Sequence, residues 1–549
     1  MELTRRGFLQ MTGAAAMPQA SPRKPNFLII LADDMGYSDA RCYGGEIDTP
    51  NLDRLAAGGL RFTQGYSTAR CGPSRSCILT GRYSQQTSCD VMSFGSIPEW
   101  TRFAPQYLKP LGYRSYQAGK WHIRFKPLAG AGFDHAYTVM DLNRYFTPRQ
   151  HLLDDQELPA VKPGDGYYMT KAIGDHAVRM LKQHAAEHAQ DPFYFYLAFN
   201  APHFPLHALQ EDIERYKDKF AEGWDVARER RWQRMRKMGL VNCELSKLET
   251  GVWPPWNTSD AELTSQIGPG EVTRAVPWNS LTAEQKKFQR LKMAIHAAMI
   301  TRMDMEIGRV LDQVKVAGQL DNTVVVFVSD NGASAELLIR ADGHDATAPA
   351  GSAASHLCLG PGWSSAGNSP FRLHKSWVHE GGIASPYIVH WPNGIKAKGE
   401  LRQDPCHLVD IVPTMVELGG GKPDSAVPAG APAFAGKSLA PAFAKDGVLR
   451  REYLYFHHNN NRAVRVGDMK LVAAGKSGPW ELYDLRKDRA ESRNLIGEQP
   501  AVARKLGELW QSREDEFNRV RESAKPVGAD GLMPGSKPVN RAASGSGKR

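Results

Sequence analysis

The sequence lacks any apolar stretch that approaches the roughly 18 residues a membrane-spanning helix needs, so no membrane span is predicted. It has few cysteines for its length, seven in 549 residues, which excludes a dense disulfide framework. Because that number is odd, at least one cysteine is unpaired within the chain. Internal repeats are also absent. The shares of hydrophobic residues (42%) and charged residues (23%) are ordinary, which excludes a collagen-like, coiled-coil or wholly disordered chain.

The positive charge is not gathered in an arm that would bind nucleic acid. The net charge is +10, from 69 basic and 59 acidic residues, and residues 524–549 hold five of the basic residues and one acidic residue. We therefore expect no nucleic-acid partner, whereas a modest basic excess suits an anionic ligand. Because residues 524–549 are rich in Gly, Ser, Lys and Pro, they are predicted to form a disordered basic tail.

Short apolar runs alternate with helical patterns along most of the chain. Buried strands are predicted at residues 25–32, 115–118, 193–199, 324–328 and 384–391. Helices are predicted at residues 211–239 and 282–314, and a small-residue loop at 343–367. This alternation predicts an α/β fold with a doubly wound, mostly parallel sheet. Four short antiparallel strands after residue 440, with a closing helix at 501–517, predict a smaller C-terminal α+β subdomain. We expect a main domain over residues 24–440 and this subdomain over residues 441–523.

Polar pairs follow two of the predicted buried strands. Asp33-Asp34 follows the first strand, and Asp330-Asn331 follows the strand at 324–328. In an open α/β sheet, ligands bind beyond the carboxyl ends of the strands. Three carboxylates and one amide oxygen would suit a hard divalent cation, and calcium tolerates an irregular set best. Taken singly, the first pair could cap a helix and the second could form an ordinary turn.

A longer motif decides between these alternatives. Residues 71–75 read Cys-Gly-Pro-Ser-Arg, and residues 79–82 read Leu-Thr-Gly-Arg. This pattern resembles the signature of type I sulfatases, the arylsulfatase-like branch of the alkaline phosphatase superfamily. The resemblance extends from about Asn26 to about Phe517. It implies an alkaline-phosphatase-like sheet between helices, a catalytic role for residues 24–440, and hydrolysis of aryl or carbohydrate sulfate monoesters.

The resemblance also implies a modified nucleophile. In the family, a maturation enzyme oxidises the motif cysteine, here Cys71, to formylglycine. The hydrated aldehyde has two hydroxyl groups on one carbon: one attacks sulfur, and the other loses its proton so that sulfate leaves and the aldehyde re-forms. One calcium ion per chain is implied, with the following ligands: Asp33, Asp34, Cys71 as formylglycine, Asp330 and Asn331.

The remaining catalytic candidates also follow from the resemblance, which assigns them contacts with sulfate or with formylglycine: Arg75, Lys120, His122, His203 and Lys375. Arg75 lies one helical turn after Cys71. Lys120 and His122 alternate along a segment expected to be extended, so that both would point to one side. His203 is a candidate acid for the leaving oxygen. Three further histidines are expected to line the pocket or support the scaffold: His207, His374 and His379.

Residues 137–145 depart from the Gly-rich loop that this branch tends to have there. Within them, Asn143 and Arg144 are candidates for binding a sugar hydroxyl or a second acidic group of the substrate. The alternative is that Arg144 is an ordinary surface arginine with no role in binding. The Pro- and Trp-rich region around residues 253–278 offers three indoles, Trp253, Trp256 and Trp278. These either form a sugar-stacking wall or pack the loop against the protein.

The N-terminus resembles a twin-arginine export signal. Arg5 and Arg6 precede Phe-Leu and a small-residue stretch, in the order that such signals have. We predict a signal over residues 1–23 and a periplasmic or secreted bacterial enzyme that matures before export. A chance arginine pair in a disordered tail is the alternative. Two other functions remain open, namely a phosphomonoester or phosphonate hydrolase of the same superfamily and an inactive protein that binds sulfated glycans.

Overall fold

The structure, a computed structural model, describes residues 23–93, 95–340 and 342–533. The predicted export signal, apart from Arg23, and residues 534–549 lie outside this part. The strands are β1 Asn26–Ala32, β2 Leu60–Phe62, β3 Gly65–Tyr66, β4 Arg114–Lys120, β5 His135–Val139, β6 His151–Leu153, β7 Gln156–Glu157, β8 Phe193–Ala198, β9 Thr323–Ser329, β10 Tyr387–His390, β11 Glu400–Arg402, β12 Cys406–His407, β13 Leu454–His458, β14 Asn461–Val466, β15 Met469–Ala473 and β16 Glu481–Asp484. The α-helices are α1 Pro50–Gly58, α2 Cys71–Thr80, α3 Ser84–Thr87, α4 Ala104–Leu108, α5 Met169–Glu187, α6 Gln210–Glu214, α7 Gly223–Lys237, α8 Asp260–Ile267, α9 Ala283–Val316, α10 Pro361–Gly367, α11 Glu380–Ile383, α12 Ile411–Leu418, α13 Pro423–Ala426, α14 Ala440–Ala444 and α15 Pro500–Ser523.

A ten-stranded mixed sheet has the order β11-β2-β10-β9-β1-β8-β4-β5-β6-β7. Its centre, from β9 to β5, is parallel, and β10 and β6 join it antiparallel on the two sides. In the register of β1 with β9, Ala32 lies opposite Ser329, so both strands end at the same level. The fold class predicted from the sequence is confirmed: a large sheet with helices on both faces and a separate small antiparallel sheet.

Alternate residues of β1 belong to two different apolar clusters, one on each face of the sheet. Leu28 and Ile30 pack with α5 and α9, whereas Phe27 and Ile29 pack with α2 and α12. This is the period-2 alternation of a strand that is buried on both sides. It explains why the strand reads as a continuous apolar run.

The long helix α9 begins with a capping box. The hydroxyl of Thr282 accepts the Gln285 N–H at 3.2 Å, and the Gln285 side chain accepts the Thr282 N–H at 3.0 Å. In its middle, the buried carboxylate of Asp304 accepts the backbone N–H groups of Asn51 and Leu52 at 3.0 and 2.9 Å. Asp304 thereby satisfies free donors at the N-terminus of α1. The two helices are thus tied together across the core.

The small sheet β13-β14-β15-β16 is antiparallel throughout, and α15 packs on it. Trp510 of α15 donates its indole N–H to the backbone oxygen of Phe456 at 3.2 Å. The predicted division at residue 440 stays a prediction. The predicted disorder from residue 524 is wrong for residues 524–533, because this segment pairs with residues 97–99 and 124–126 through backbone hydrogen bonds. Residues 534–549 lie outside the described part of the chain.

Two other local expectations differ from the structure. The helix predicted over 211–239 is two helices, α6 and α7, because φ is positive at Phe220 (65°), between them, and at Gly223 (79°), the first residue of α7. The loop expected at 343–367 ends in the short buried helix α10, which begins at Pro361. None of the helices in the described residues is long and apolar enough to cross a membrane.

Candidate active site

Two polar pairs lie at the carboxyl ends of the neighbouring strands β1 and β9. The backbone N–H of Asp34 donates to Asp330 Oδ1 at 3.2 Å, and Asn331 Nδ2 donates to Asp34 Oδ1 at 2.7 Å. Asp33 and Asp330 are both buried. The structure therefore brings together Asp33, Asp34, Asp330 and Asn331, because β1 and β9 are adjacent and end at the same level.

The donor atoms of this cluster fit a hard cation. The Cys71 Sγ and carboxylate oxygens of Asp33 and Asp330 all lie within 4.8 Å of one another. Asp33 Oδ1 and Asn331 Oδ1 are buried and make no hydrogen bond within the described part of the chain. Buried oxygens without a donor are costly, and a divalent cation takes oxygens of this kind as ligands. These residues therefore suit a calcium-type site, with no ion identified.

The charges of the three aspartates are only partly balanced by protein groups. Burial raises the pKa of Asp34 and of Asp330, and the negative charge of Asp33 adds to both shifts. Burial would also raise the pKa of Asp33, but the charges of Lys120 and Arg75 hold it below its usual value. Crowded carboxylates that resist ionisation are the expected environment of a cation site.

Helix α2 presents Cys71 in its first turn, with the side chain buried. The hydroxyl of Ser74 donates to the backbone oxygen of Asp330, which fixes the start of α2 against the end of β9. One turn after Cys71, Arg75 is fully buried, and its Nη2 lies 2.9 Å from Asp330 Oδ2. Arg75 Nη1 also donates to the backbone oxygen of Lys120 at 3.1 Å. The motif thus places the cysteine and the arginine beside the carboxylates.

Lys120 is the last residue of β4, and its Nζ donates to Asp33 Oδ2. The predicted extended backbone is wrong at His122, whose φ of 61° lies in the left-handed region. His122 still reaches the site: burial lowers its pKa well below the usual value, and the charges of Lys120 and Arg75 lower it further. Its Nδ1 is buried and has no hydrogen-bond partner among the described residues.

His203 and Lys375 approach the cluster from the side of Asp34. Lys375 Nζ lies 2.9 Å from the Asp34 carboxylate, and the charges of Asp34 and Glu336 raise the lysine pKa although its burial opposes this. His203 Nε2 lies 3.8 Å from Asp34 Oδ2. Burial and then the charge of Lys375 lower the pKa of His203 well below its usual value, so the free imidazole is neutral.

Glu336 connects several of these groups, and the sequence analysis missed it. Its carboxylate lies 3.2 Å from Lys375 Nζ and accepts Arg70 Nη1 at 2.9 Å and Trp256 Nε1 at 2.7 Å. Burial would raise its pKa, but the charges of Lys375 and Arg70 hold it well below the usual value. Glu336 lies in an irregular loop, where no periodicity or motif marks it. The one available signal was its position six residues after Asp330.

Asn143 and Arg144 lie at a neighbouring cavity of about 430 Å³ rather than among the catalytic candidates. Arg144 Nη1 pairs with Asp141 at 2.7 Å, and its Nε pairs with Asp342. Asn143 Oδ1 accepts Arg340 Nη1 at 2.6 Å. Arg340 also contributes to the lowered pKa of His203, so this cavity is electrostatically linked to the site.

The secondary candidates have structural partners. His207 is hydrogen-bonded to the Ser355 carbonyl (2.7 Å) and His374 to the Ser364 hydroxyl (2.9 Å). His379 is hydrogen-bonded to Glu481 (3.3 Å). Among the three candidate tryptophans, Trp278 is buried 4.8 Å from the Trp224 ring, and Trp253 lies under Arg274. Only Trp256 of the three is exposed, with 38% of its surface accessible.

Two protein-family models together match nearly the whole chain. A model described as sulfatase matches residues 25–421, and one described as the C-terminal region of N-sulphoglucosamine sulphohydrolase matches residues 371–516. The chain is 31% identical over 562 residues to an uncharacterised sulfatase of Schizosaccharomyces pombe (91% of this chain, 95% of the relative). It is 30% identical over 463 residues to an arylsulfatase of Klebsiella aerogenes (76% and 92%).

Two further comparisons concern proteins whose names mention sugars. The chain is 25% identical over 567 residues to an N-acetylglucosamine-6-O-sulfatase of Bacteroides thetaiotaomicron (94% of this chain, 90% of the relative). A solved structure in complex with D-glucosamine-2-N,6-O-disulfate matches with a TM-score of 0.62 at 22% identity (90% and 98% covered). At that identity the solved structure shows the shared fold.

Proposed function

The chain belongs to the sulfatase family and is a sulfuric ester hydrolase, and we propose that it uses a formylglycine made from Cys71 together with a bound calcium ion. Its substrates would be aryl or carbohydrate sulfate monoesters. The observation that carries the proposal is the arrangement of Cys71 within 4.8 Å of two strand-end carboxylates, with Arg75 and Lys120 paired to the same carboxylates.

Asp33, Asp34, Asp330 and Asn331 would hold the calcium ion, with the side chain of residue 71 as a further ligand. The ion would supply Lewis acidity toward the sulfate oxygens and toward the nucleophilic hydroxyl. The hydrated aldehyde would supply two hydroxyl groups on one carbon, one to attack sulfur and one to release sulfate. A maturation enzyme must produce the aldehyde before the chain is active.

The protein's own cations would hold the sulfate. Lys120 and Lys375 are each paired with a carboxylate, so their positions are fixed before the substrate arrives. Donors fixed in advance stabilise charge that develops in the transition state without reorganisation. Arg75 would hold the hydroxyl of residue 71, because it lies one turn away on the same helix.

Two histidines would move protons. His122 has a free, buried Nδ1 and a strongly lowered pKa, which keeps its ring neutral and able to accept a proton as sulfate leaves. His203 would protonate the leaving oxygen. Burial and then the charges of Lys375 and Lys120 lower the pKa of this histidine, and the negative charge of a bound sulfate ester would raise it. With His203→Ala, poor leaving groups should lose more activity than activated aryl groups.

A direct comparison of esters tests the function. Protein matured in its native host should hydrolyse 4-nitrophenyl sulfate far faster than 4-nitrophenyl phosphate. A preference for phosphate would favour the alternative phosphoester hydrolase, and no hydrolysis of either ester would favour the inactive glycan-binding protein. The comparisons favour neither alternative.

We also propose export in the folded state. This rests on the arginine pair at residues 5–6, and on the seven cysteines, which are all buried and unpaired in the structure, so folding needs no oxidising compartment. N-terminal sequencing of the mature protein tests this proposal. A chain that retains Met1 in the cytoplasm would contradict it.

A further inference from the structure

A second cavity, of about 730 Å³, adjoins the catalytic residues and has no role in the function proposed so far. Its lining includes Pro73, Trp256, Trp377, His458, Asn459 and Asn460, and we call it the tryptophan cleft. Pro73 lies two residues after Cys71, and Trp377 lies two residues after Lys375. One wall of the cleft is thus formed by the segments of the chain that carry Cys71 and Lys375. Its volume is within the roughly 300–1,000 Å³ usual for ligand pockets.

Trp256 is held against the catalytic site by its polar edge. Its indole Nε1 donates to Glu336 Oε1 at 2.7 Å, and the same carboxylate pairs with Lys375 and Arg70. The Arg70 guanidinium carbon lies 5.6 Å from the indole ring centroid. The ring nevertheless remains 38% exposed at the cleft. A large apolar surface that is fixed before binding costs little entropy when a ligand covers it.

His458 contributes a polar group that lacks a partner. It is only 5% exposed, and its Nε2 makes no hydrogen bond within the described part of the chain. Burial, followed by the charge of Arg70, lowers its pKa to about 3, so the ring is neutral. A neutral imidazole nitrogen can donate to a hydroxyl group or accept from one. Because a buried nitrogen without a partner is unfavourable, a ligand group is expected there.

The charged residues of the cleft are already engaged by protein groups. Glu514 accepts a hydrogen bond from Tyr455, and the Arg521 guanidinium donates to the backbone oxygen of Gln85 at 2.9 Å. His457 also bonds to Glu514, at 3.1 Å. Apart from these residues, the lining has no Asp, Glu, Lys or Arg side chain, and it includes the amides of Asn459 and Asn460. The neighbouring cavity beside Asn143 differs, because three arginines line it. The tryptophan cleft therefore suits an uncharged ligand rich in hydroxyl groups.

We propose that the tryptophan cleft binds the sugar of a carbohydrate sulfate ester, with the pyranose ring against Trp256 and its hydroxyl groups on His458 and Asn460. The inference rests on the proposed function. It narrows the substrate from any sulfate monoester to one whose alcohol is an uncharged sugar. Aromatic faces with a few placed polar groups are the usual composition of such a site.

Two substitutions separate the aromatic surface from the hydrogen bond to Glu336. Trp256→Ala removes both, whereas Trp256→Phe keeps an aromatic face and removes only the N–H. Hydrolysis of 4-nitrophenyl sulfate is compared with that of the 6-sulfates of N-acetylglucosamine and N-acetylgalactosamine. We expect Trp256→Ala to lower kcat/KM for a sugar ester, through KM, about tenfold or more beyond its effect on the aryl ester. Trp256→Phe lacks the same N–H and reports the loss that comes from the missing bond to Glu336 alone. Trp256→Phe should keep most of the sugar activity. Trp253→Ala, in the same loop but outside the cleft lining, is the matched control.

A measurement on the unaltered protein avoids the folding of variants. N-acetylglucosamine or N-acetylgalactosamine, the uncharged product sugars, should inhibit the hydrolysis of 4-nitrophenyl sulfate competitively. Hydrolysis of the aryl ester with neither turnover of the sugar esters nor inhibition by the sugars would overturn the inference and leave the sulfatase function standing. Equal losses on both kinds of ester in Trp256→Ala would also overturn it. Failure to hydrolyse any of the three esters would instead refute the proposed function.

Discussion

Arg75 and Asp330 form a fully buried ion pair, with Nη2 2.9 Å from Oδ2. The pair joins helix α2, which begins at the nucleophile position Cys71, to the strand end that carries predicted metal ligands. The second nitrogen of the same guanidinium donates to the backbone of Lys120. One planar side chain thus holds three elements, α2, β4 and β9, at the site. A lysine offers no such fork of donors.

Arg75→Lys should therefore lower kcat/KM for 4-nitrophenyl sulfate by at least about 100-fold, the usual cost of losing one fixed donor in such a site. Calcium content, measured by elemental analysis, should also fall, because Asp330 loses its partner and its position. Arg82→Lys is the control: Arg82 is equally buried but bonds to Tyr107 and Pro432. Equal losses in the two variants would show that the effect is general destabilisation.

Removal of calcium should destabilise the protein as well as inactivate it. Without a cation, three buried carboxylates face one another with only partial compensation. A ligand that binds only the folded state adds about 4 kcal/mol when its free concentration is a thousand times Kd. Thermal unfolding after treatment with a chelator should therefore begin at a lower temperature, and added calcium should restore both the midpoint and the activity. An unchanged midpoint would argue against the site.

Cys71→Ser should block turnover after the first sulfate transfer. Serine has one hydroxyl on its β-carbon, so it can attack sulfur but lacks the second hydroxyl that expels sulfate. Mass spectrometry of the variant after incubation with 4-nitrophenyl sulfate should detect a stable sulfated residue 71. Cys77→Ser, on the same helix but in the apolar core, should keep its activity. Sustained turnover by Cys71→Ser would contradict the scheme.

Glu336→Gln tests the positioning role of the carboxylate that the sequence did not reveal. The substitution removes the negative charge between Lys375 and Arg70, so Arg70 loses its carboxylate partner and Lys375 keeps only Asp34. The positive charge that remains is then less compensated and attracts anions more strongly. Hydrolysis should slow, while inorganic sulfate should become a stronger product inhibitor. A merely structural role would not tighten sulfate binding. Weaker or unchanged inhibition by sulfate would contradict the positioning role.

The stability of the protein should depend on the ionisation of Asp304. Burial raises the pKa of Asp304 to about 6 from 3.8. Since the folded pKa is the higher one, this group's contribution is fully present below pH 3.8 and is lost as the pH rises through 6. Its magnitude is about 3 kcal/mol. The melting temperature of the wild type minus that of Asp304→Asn should therefore fall between pH 4 and pH 7. Asp312→Asn, exposed on the same helix, should show no such trend.

Features that depend on local patterns could be predicted from the sequence. The apolar run of β1 and the spacing of apolar residues every three to four positions in α9 follow from which residues are buried. Both elements begin and end within two residues of their predicted bounds. The two pairs at the strand ends, Asp33-Asp34 and Asp330-Asn331, were expected to serve one site because ligands bind beyond the carboxyl ends of the strands in an open α/β sheet. Their meeting follows from the register of β1 with β9.

Features that depend on long-range contacts could not be predicted. Glu336 owes its role to partners that lie far away in the sequence, namely Lys375, Trp256 and Arg70, and its loop has no periodicity. Residues 524–533 have a composition typical of disorder, yet they pair with residues 97–99 and 124–126. At His122 a positive φ replaced the extended backbone on which the argument depended. For Glu336 and for residues 524–533, contacts with distant residues override the local sequence signal.

The proposed mechanism requires residue 71 to act as an aldehyde rather than as a thiol. It is tested most directly by the peptide mass spectrum across residue 71, taken from protein made in its native host and shown to hydrolyse sulfate esters. We predict the mass of formylglycine, in a proportion that follows the specific activity from one preparation to the next. An unmodified cysteine in fully active protein would contradict the account.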